Sequence, residues 1–384
     1  MARDLFDPEH RAFADVVRTF VAKEIDDQYQ DWERDGVTSR EVWLAAGRQG
    51  LLGLDMPVRY GGGGQDDYRF QVILAEELAR AGVYAPCIPL HNEVVGPYLR
   101  DLGTPQQHDR WLPGFCSGEK IGAIAITEPD AGSDLRGLRT RAVPGDDGSW
   151  VLNGQKTFIS NGHLADLVIV VARTDGGSES RPRQPSATLF VVEAGMPGFH
   201  RGPKLDKLGM RALDSVELIF EDVRVPGENV LGRPGKALLY LMRNLRQERM
   251  WIAASALAAA EAVFAATLGY TRERKVFGRP VAHHQHNSFV LAELATALEV
   301  ARAYTDRCIA EHGAGQLSTE RAAMAKWWNT ELCQRTVDRC LQMHGGYGFV
   351  RDYPVARAFA DTRVQSIYGG STEVMKEIIA QSLI

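Results

Sequence analysis

The chain predicts an α+β fold in three consecutive parts, helical, then β, then helical again, and three observations carry that prediction. Apolar residues recur at three-and-four spacing up to about residue 120, give way to short β-like runs, and resume helical spacing after about residue 235. Pro234-Gly235 marks the second change with the two residues that most readily break regular structure. The length of 384 residues and a 45% hydrophobic content suffice for more than one buried core. The expected domains are 1–120, 121–235 and 236–384.

In the first part, Phe13, Val16, Val17, Phe20 and Val21 share one helical face, and Phe70 to Leu78 repeats the pattern. Gly61 to Gly64 reads as a flexible loop between helices and not as a phosphate cradle, because no Lys-Ser/Thr pair follows it. In the second part, Ile121 to Ile126, Leu167 to Ala172, Thr188 to Val192 and Val216 to Phe220 read as strands. Asn153-Gly154 is expected to form a hairpin turn, since both residues tolerate positive φ. Thr174 to Ser186, rich in Gly, Ser, Pro and Arg, reads as a surface loop. In the third part, Leu238, Leu241, Met242 and Leu245 open a helix, and Ala-rich segments to Leu268 and from Phe289 to Cys308 allow four helices to close as a bundle.

A net charge of −5 and a pI near 6.1 leave no basic footprint for nucleic acid. Five cysteines without a CxxC pair indicate neither a disulfide framework nor a zinc site, and fit a reducing compartment. The N-terminal residues lack a signal-peptide apolar run, and no uninterrupted apolar stretch of membrane-spanning length is evident. The expectation is a cytoplasmic protein. His283, His284 and His286 suggest no metal, because adjacent histidines diverge on a helix and no carboxylate or cysteine completes a set.

Chemistry concentrates in a few motifs. Ile126-Thr127-Glu128-Pro129-Asp130-Ala131-Gly132-Ser133-Asp134 joins an apolar strand to a turn of small polar residues, where backbone amides and two hydroxyls can face phosphate or carbonyl oxygens. Asn153 to Gly162 follows closely. Arg274-Lys275-Val276-Phe277-Gly278 with Gln285, then Gln342-Met343-His344-Gly345-Gly346, then Ile367-Tyr368-Gly369-Gly370-Ser371-Thr372-Glu373 complete an ordered series. The series resembles the acyl-CoA dehydrogenase flavoprotein family, and most of all its long-chain and isovaleryl branches.

The resemblance implies a fold of N-terminal helical domain, middle β-domain and C-terminal four-helix bundle. It also implies bound FAD, a homotetramer, and oxidation of a saturated acyl-CoA thioester to the trans-2-enoyl form, with an electron-transfer flavoprotein as acceptor. Such chemistry needs a carboxylate to take the proton next to the thioester carbonyl. The medium-chain branch places it directly after the C-terminal tyrosine, where this chain has Gly369. The long-chain and isovaleryl branches instead carry the base in a Glu-Arg setting matched by Glu248-Arg249. Glu248 shares a helix face with Ile252, Ser255, Ala256 and Ala259, which would desolvate the carboxyl and raise its pKa. A solvated glutamate paired with Arg246 or Arg249 is the alternative reading of the same residues.

By the same resemblance Ile124, Ile126, Thr127, Gly132 and Ser133 line the flavin, with Ser133 also facing substrate. Phe158 and Ser160 would cover its ring face and reach its redox edge. Arg274 would meet the flavin pyrophosphate of a neighbouring subunit, with Phe277 of the same motif, Gln285, Gln342, Gly345 and Gly346 around that cofactor. Ser371, Thr372 and Glu373 would hold flavin phosphate or ribose, or simply cap a helix. Arg249 would lie beside the pantetheine arm, and Tyr368, Gly369 and Gly370 beside the thioester, the Gly369 N–H serving as an oxyanion donor. Two rivals share the fold: a dehydrogenase of acyl or aminoacyl groups on a carrier protein, and a flavin monooxygenase.

Overall fold

The computed structural model describes residues 3–174 and 186–384, so most of the expected Thr174–Ser186 loop lies outside the described residues. The N-terminal part holds α1 (Pro8–Phe20), α2 (Tyr29–Asp35), α3 (Arg40–Arg48), α4 (Tyr68–Arg80), α5 (Gly96–Leu102) and α6 (Pro105–Ser117). α1 starts at Asp7 with a capping box, and its Val17 and Phe20 enter a core shared with Leu74, Leu78 and Trp43. α6 starts with a second capping box at Thr104. Gly61 to Gly64 does run between helices, but it is packed, not loose. A β-carbon at Gly62 or Gly63 would stand 2.4 or 2.6 Å from the Met56 or Leu54 carbonyl oxygen.

The middle part is a twisted sheet of β1 (Gly122–Ala125), β2 (Arg141–Pro144), β3 (Trp150–Ser160), β4 (Leu167–Arg173), β5 (Ala187–Glu193), β6 (Phe199–Arg201), β7 (Ser215–Val225) and β8 (Val230–Leu231). Its spatial order is β6-β7-β3-β2-β4-β5-β8, and β1 lies parallel to β4 with Gly122 opposite Leu167. β4 and β5 are apolar almost throughout because both faces are covered, as in central strands. The expected Asn153-Gly154 turn is corrected: both residues lie inside β3. The β2–β3 turn instead runs through Asp147 and Gly148, with Asp147 Oδ1 accepting from Ser149 N at 3.2 Å. Asn153-Gly154 marks an irregularity in the β3–β7 register, where Gly154 (φ 146°) approaches Thr140 so closely that a β-carbon would lie 2.6 Å from Thr140 Cα.

The C-terminal part opens with the 37-residue α7 (Ala237–Glu273), followed by the small hairpin β9 (Lys275–Val276) and β10 (Arg279–Pro280). α8 (Gln285–Gly313), α9 (Thr319–His344), α10 (Pro354–Asp361) and α11 (Thr372–Leu383) complete it. α7, α8 and α9 pack through Ala256, Leu257, Val263, Leu294, Leu298, Leu332 and Val337, the alanines permitting close approach. The shorter α11 lies along α9. α7 is also long and apolar enough to cross a membrane by length and composition, which the sequence reading did not anticipate. It is a core helix here, with Met250 through Ala258 all buried.

Candidate active site

Two arms of the structure converge on the predicted residues. The first is the edge of the sheet where β1 ends. Ile124, Ile126 and Thr127 are partly buried there, and Thr157 N donates to Thr127 O at 2.9 Å, tying the β1 exit to β3. Glu128 and Ala131 bond each other in a tight turn that leaves Gly132 and Ser133 at the surface, and a β-carbon on Gly132 would meet nothing within 4 Å. Phe158 is 70% exposed and has φ 59°, so it is not hairpin core; its ring projects from the sheet beside Ser160, the last residue of β3.

Beneath this edge lies a pair that no sequence motif announces. Lys156 is fully buried, and its ammonium donates to Glu128 Oε1 at 2.7 Å and to Ile126 O at 2.9 Å. Glu128 also accepts from Arg139 N and Thr140 N at 2.6 and 3.1 Å. Burial alone would raise the Glu128 carboxyl, but Lys156 and these donors hold it below its ordinary value. Burial brings the Lys156 ammonium down to about 8 against the pull of Glu128. The available signal was strand alternation, since Leu152, Gly154 and Lys156 point to one face and Leu152 is core.

The second arm is helical. Glu248 sits on α7, its face continued by the buried Ile252, Ser255, Ala256 and Ala259 as expected. The turn Tyr368-Gly369-Gly370 lies against it: a β-carbon built on Gly369 would stand 3.4 Å from Glu248 Oε1 and 2.3 Å from Ile252 Cδ1. Gly369 and Gly370 have φ 63° and 92°, backbone that favours glycine. The Tyr368 ring stacks near Trp251 at 6.3 Å, and burial raises its hydroxyl well above the ordinary range.

Burial raises the Glu248 carboxyl, with Arg249 and Lys326 opposing that rise. Glu248 makes no ion pair with Arg246 or Arg249 among the described residues; Arg246 donates instead to Leu317 O. Arg249 is 4% exposed and its Nε has no hydrogen-bond partner. Burial lowers its guanidinium, with Glu248 opposing. Tyr98, on α5, is raised first by burial and then by Glu248, so α5 reaches the same centre. Ser371 Oγ accepts from Val374 N at 3.4 Å as the N-cap of α11, with Thr372 and Glu373 in its first turn.

A third group gathers far from Glu248 along α7. Arg274, the C-cap of α7, Gln342, Gly345 and Gly346 line an open pocket of about 660 Å³ with Tyr270, His344 and Tyr347. The Arg274 guanidinium carbon lies 5.8 Å from the Tyr347 ring centre, and β-carbons on Gly345 or Gly346 would meet nothing within 4 Å. Phe277 is 97% exposed at the tip of the β9–β10 hairpin, and Gln285 is exposed outside the lining of this pocket. The histidines divide: His284 Nε2 bonds Val276 O, whereas His286 lines the pocket.

Comparison with known proteins settles the family. The acyl-CoA dehydrogenase N-terminal, middle and C-terminal domains match residues 7–119, 123–223 and 236–384. The chain belongs to the acyl-CoA dehydrogenase family. It is 45% identical over 383 residues to the mitochondrial long-chain specific acyl-CoA dehydrogenase of Rattus norvegicus, covering 100% of this chain and 88% of that protein. The crystal structure of an acyl-CoA dehydrogenase from Geobacillus kaustophilus superposes with TM-score 0.96 at 43% identity over 100% of both chains. An acyl-CoA dehydrogenase from Bacillus anthracis complexed with FAD superposes with TM-score 0.92 at 28% identity, over 100% of this chain and 69% of that one. The protein is therefore an FAD-dependent oxidoreductase that dehydrogenates an acyl-CoA thioester.

The residues present fit that cofactor. The exposed Phe158 ring, the open surface over Gly132 and the Arg274 pocket, whose glycines leave room for a ligand, offer an aromatic face, backbone donors and a forked cation of the kind a flavin dinucleotide requires.

Proposed function

We propose that Glu248 is the base of the dehydrogenation and that the Gly369 N–H receives the developing charge on the thioester oxygen. The supporting observation is the place of the Glu248 carboxylate, 3.4 Å from where a side chain on residue 369 would begin. One carboxylate serves the turn from α7 because the turn itself has none. Raised by burial, the Glu248 carboxylate is a stronger base than a solvated one. It takes the proton from carbon 2 of the acyl group while the Gly369 amide donates to the carbonyl oxygen. FAD, when bound, supplies the acceptor for the hydride leaving carbon 3, completing the trans-2-enoyl product. Arg249, with its partnerless Nε, lies beside the pantetheine arm in this reading.

Thr127, Ser133, Phe158 and Ser160, with Ile124, Ile126 and Gly132, hold the flavin ring of the same chain, and Ser371, Thr372 and Glu373 its phosphate or ribose. Arg274, Phe277, Gln285, Gln342, Gly345 and Gly346 serve the flavin of a second copy. Glu248 and Arg274 are 26 positions apart on α7, about 39 Å at 1.5 Å per residue, too far for one flavin to meet both. This separation supports a composite site and, with the family, a homotetramer. A long-chain acyl-CoA is the first substrate class to assay, given the 45% identity to a long-chain enzyme. An electron-transfer flavoprotein is the proposed acceptor. Five free, buried cysteines fit a reducing compartment; cytoplasmic residence is the proposal, and imaging of the tagged chain tests it.

Stopped-flow reduction of the bound flavin tests the base. Glu248→Gln is expected to retain FAD and slow reduction by roughly 10²–10⁴-fold. Wild-type reduction rates in that variant would overturn the assignment.

A further inference from the structure

One buried cation in the helical arm is unused by the reaction as described. Lys326 lies on α9 at 0% exposure, on the same face as Ala322, Asn329 and Cys333, all buried. Its ammonium donates to Gly370 O at 2.6 Å. A lysine rarely enters a core without a partner that justifies its desolvation. Here the partner is not a carboxylate in contact but the carbonyl of the turn that carries Gly369. That turn in turn abuts Glu248 Oε1, so α9, the turn and α7 meet at one point.

We propose that Lys326 is the positioning residue of the reaction centre: by holding the Gly370 carbonyl it aims the Gly369 N–H and keeps the turn against Glu248. The inference rests on Glu248 being the base. Gly369 and Gly370 have no side chains to anchor their conformation, and both lie at positive φ, so a loop of this kind needs an external hold. Lys326 provides it from a rigid helix. Its second function follows from the charges around it. Lys326 faces Glu248 and Arg249 of α7 and Glu373 of α11; Glu248 faces Arg249, Lys326, Tyr98 of α5 and Tyr368 of the turn. Burial lowers the Lys326 ammonium to about 8, with Glu248 working against that fall. By reciprocity Lys326 works against the rise of Glu248.

The sign is fixed. Removing the cation lets the Glu248 pKa rise further, so the acid limb of flavin reduction against pH moves up. Lys326→Met keeps the length of the stem, and in the holoenzyme it is expected to shift that limb upward by about one pH unit, the low end for loss of a nearby opposite charge. The Glu248 carboxyl band in infrared difference spectra, identified against Glu248→Gln, should move with it, and Lys326→Arg should restore part of the shift. An unmoved limb and band in a Lys326→Met enzyme that retains FAD would overturn the proposal.

If Lys326→Met does not fold, Glu248→Gln labelled with [ε-13C]lysine gives the reciprocal measurement. Lys326 should then titrate at lower pH than in the wild type, and an identical titration would overturn the coupling. Full activity in Glu248→Gln would sink the base while leaving this titration to judge Lys326 by itself, so the two failures are distinguishable.

Discussion

The sheet edge and the helical centre both bury charge, and they treat it in opposite ways. In the sheet, Lys156 and Glu128 spend their charges on each other at 2.7 Å and on Ile126 O, Arg139 N and Thr140 N. Around α7, Glu248, Arg249 and Lys326 lie within electrostatic reach of one another, yet Glu248 forms no ion pair and Arg249 Nε no hydrogen bond among the described residues. A closed pair fixes backbone geometry. An open set leaves a carboxylate and a guanidinium with capacity for a ligand. On the proposed assignment, the difference separates charge that builds a site from charge that works in it.

Substitutions can break or sharpen that contrast. The largest effect belongs to the open set: Glu248→Gln should lose roughly 10²–10⁴-fold in flavin reduction without losing stability. Because the folded pKa of Glu248 is raised, ionising it above its ordinary 4.5 works against folding, and the neutral amide removes that cost. Calorimetry at pH 8 should therefore show a melting temperature at or above that of the wild type; a marked drop would mean that Glu248 is structural like Glu128.

The closed pair should behave in reverse. Lys156→Met leaves Glu128 buried with no counter-charge and should cost about 3–5 kcal/mol in urea unfolding, the usual penalty for removing one member of a buried pair. Glu128 is held below its ordinary value, so this contribution is present above pH 4.5 and is lost as pH falls through the lowered folded value. The gap between wild type and Lys156→Met should narrow there. A constant gap would show that packing, not charge, is what the lysine provides.

Moving the carboxylate onto the turn is a smaller perturbation. Gly369→Glu in the Glu248→Gln background puts a carboxylate back at the turn as a route to partial recovery. The structure adds two obstacles: Ile252 Cδ1 stands 2.3 Å from the new β-carbon, and φ is 63°. Overpacking of this kind costs about 1–3 kcal/mol. Recovery is expected only when Ile252→Ala is added, and recovery without it would mean that the turn yields easily. The smallest effect is at the sheet edge, where Ser160→Ala should keep FAD and change its reduction by no more than one hydrogen bond, about 0.5–1.5 kcal/mol. Unchanged reduction kinetics would remove Ser160 from the flavin contacts.

The strands Leu167 to Ala172 and Thr188 to Val192 were legible because they are written locally, as continuous apolar runs. Glu248 and Gly369 lie 121 positions apart, and only the resemblance to the family paired them before any coordinates. Asn153-Gly154 misled because the glycine that suits a tight turn also suits a register irregularity inside a strand, where Thr140 crowds it. Lys156 and Lys326 were passed over for another reason. Their partners, Glu128 and Gly370, lie 28 and 44 positions away, and no spacing rule joins a lysine to a carbonyl on a distant turn. Each does sit at a core position of its own element, Lys156 in strand alternation with Leu152 and Lys326 in helical register with Ala322 and Cys333. A cation at a core position is the signal to seek.

α7 also carries a meaning for inheritance. With Glu248 in its first third and Arg274 just past its last residue, the helix would, in the proposed composite site, contribute a base to one catalytic centre and a phosphate clamp to another. A subunit bearing Glu248→Gln still lends a sound Arg274, and one bearing Arg274→Ala still lends a sound Glu248. Co-expressed, two alleles that are each defective alone would assemble hybrid particles in which some centres receive both intact parts, so the two lesions would complement one another although they lie in the same gene.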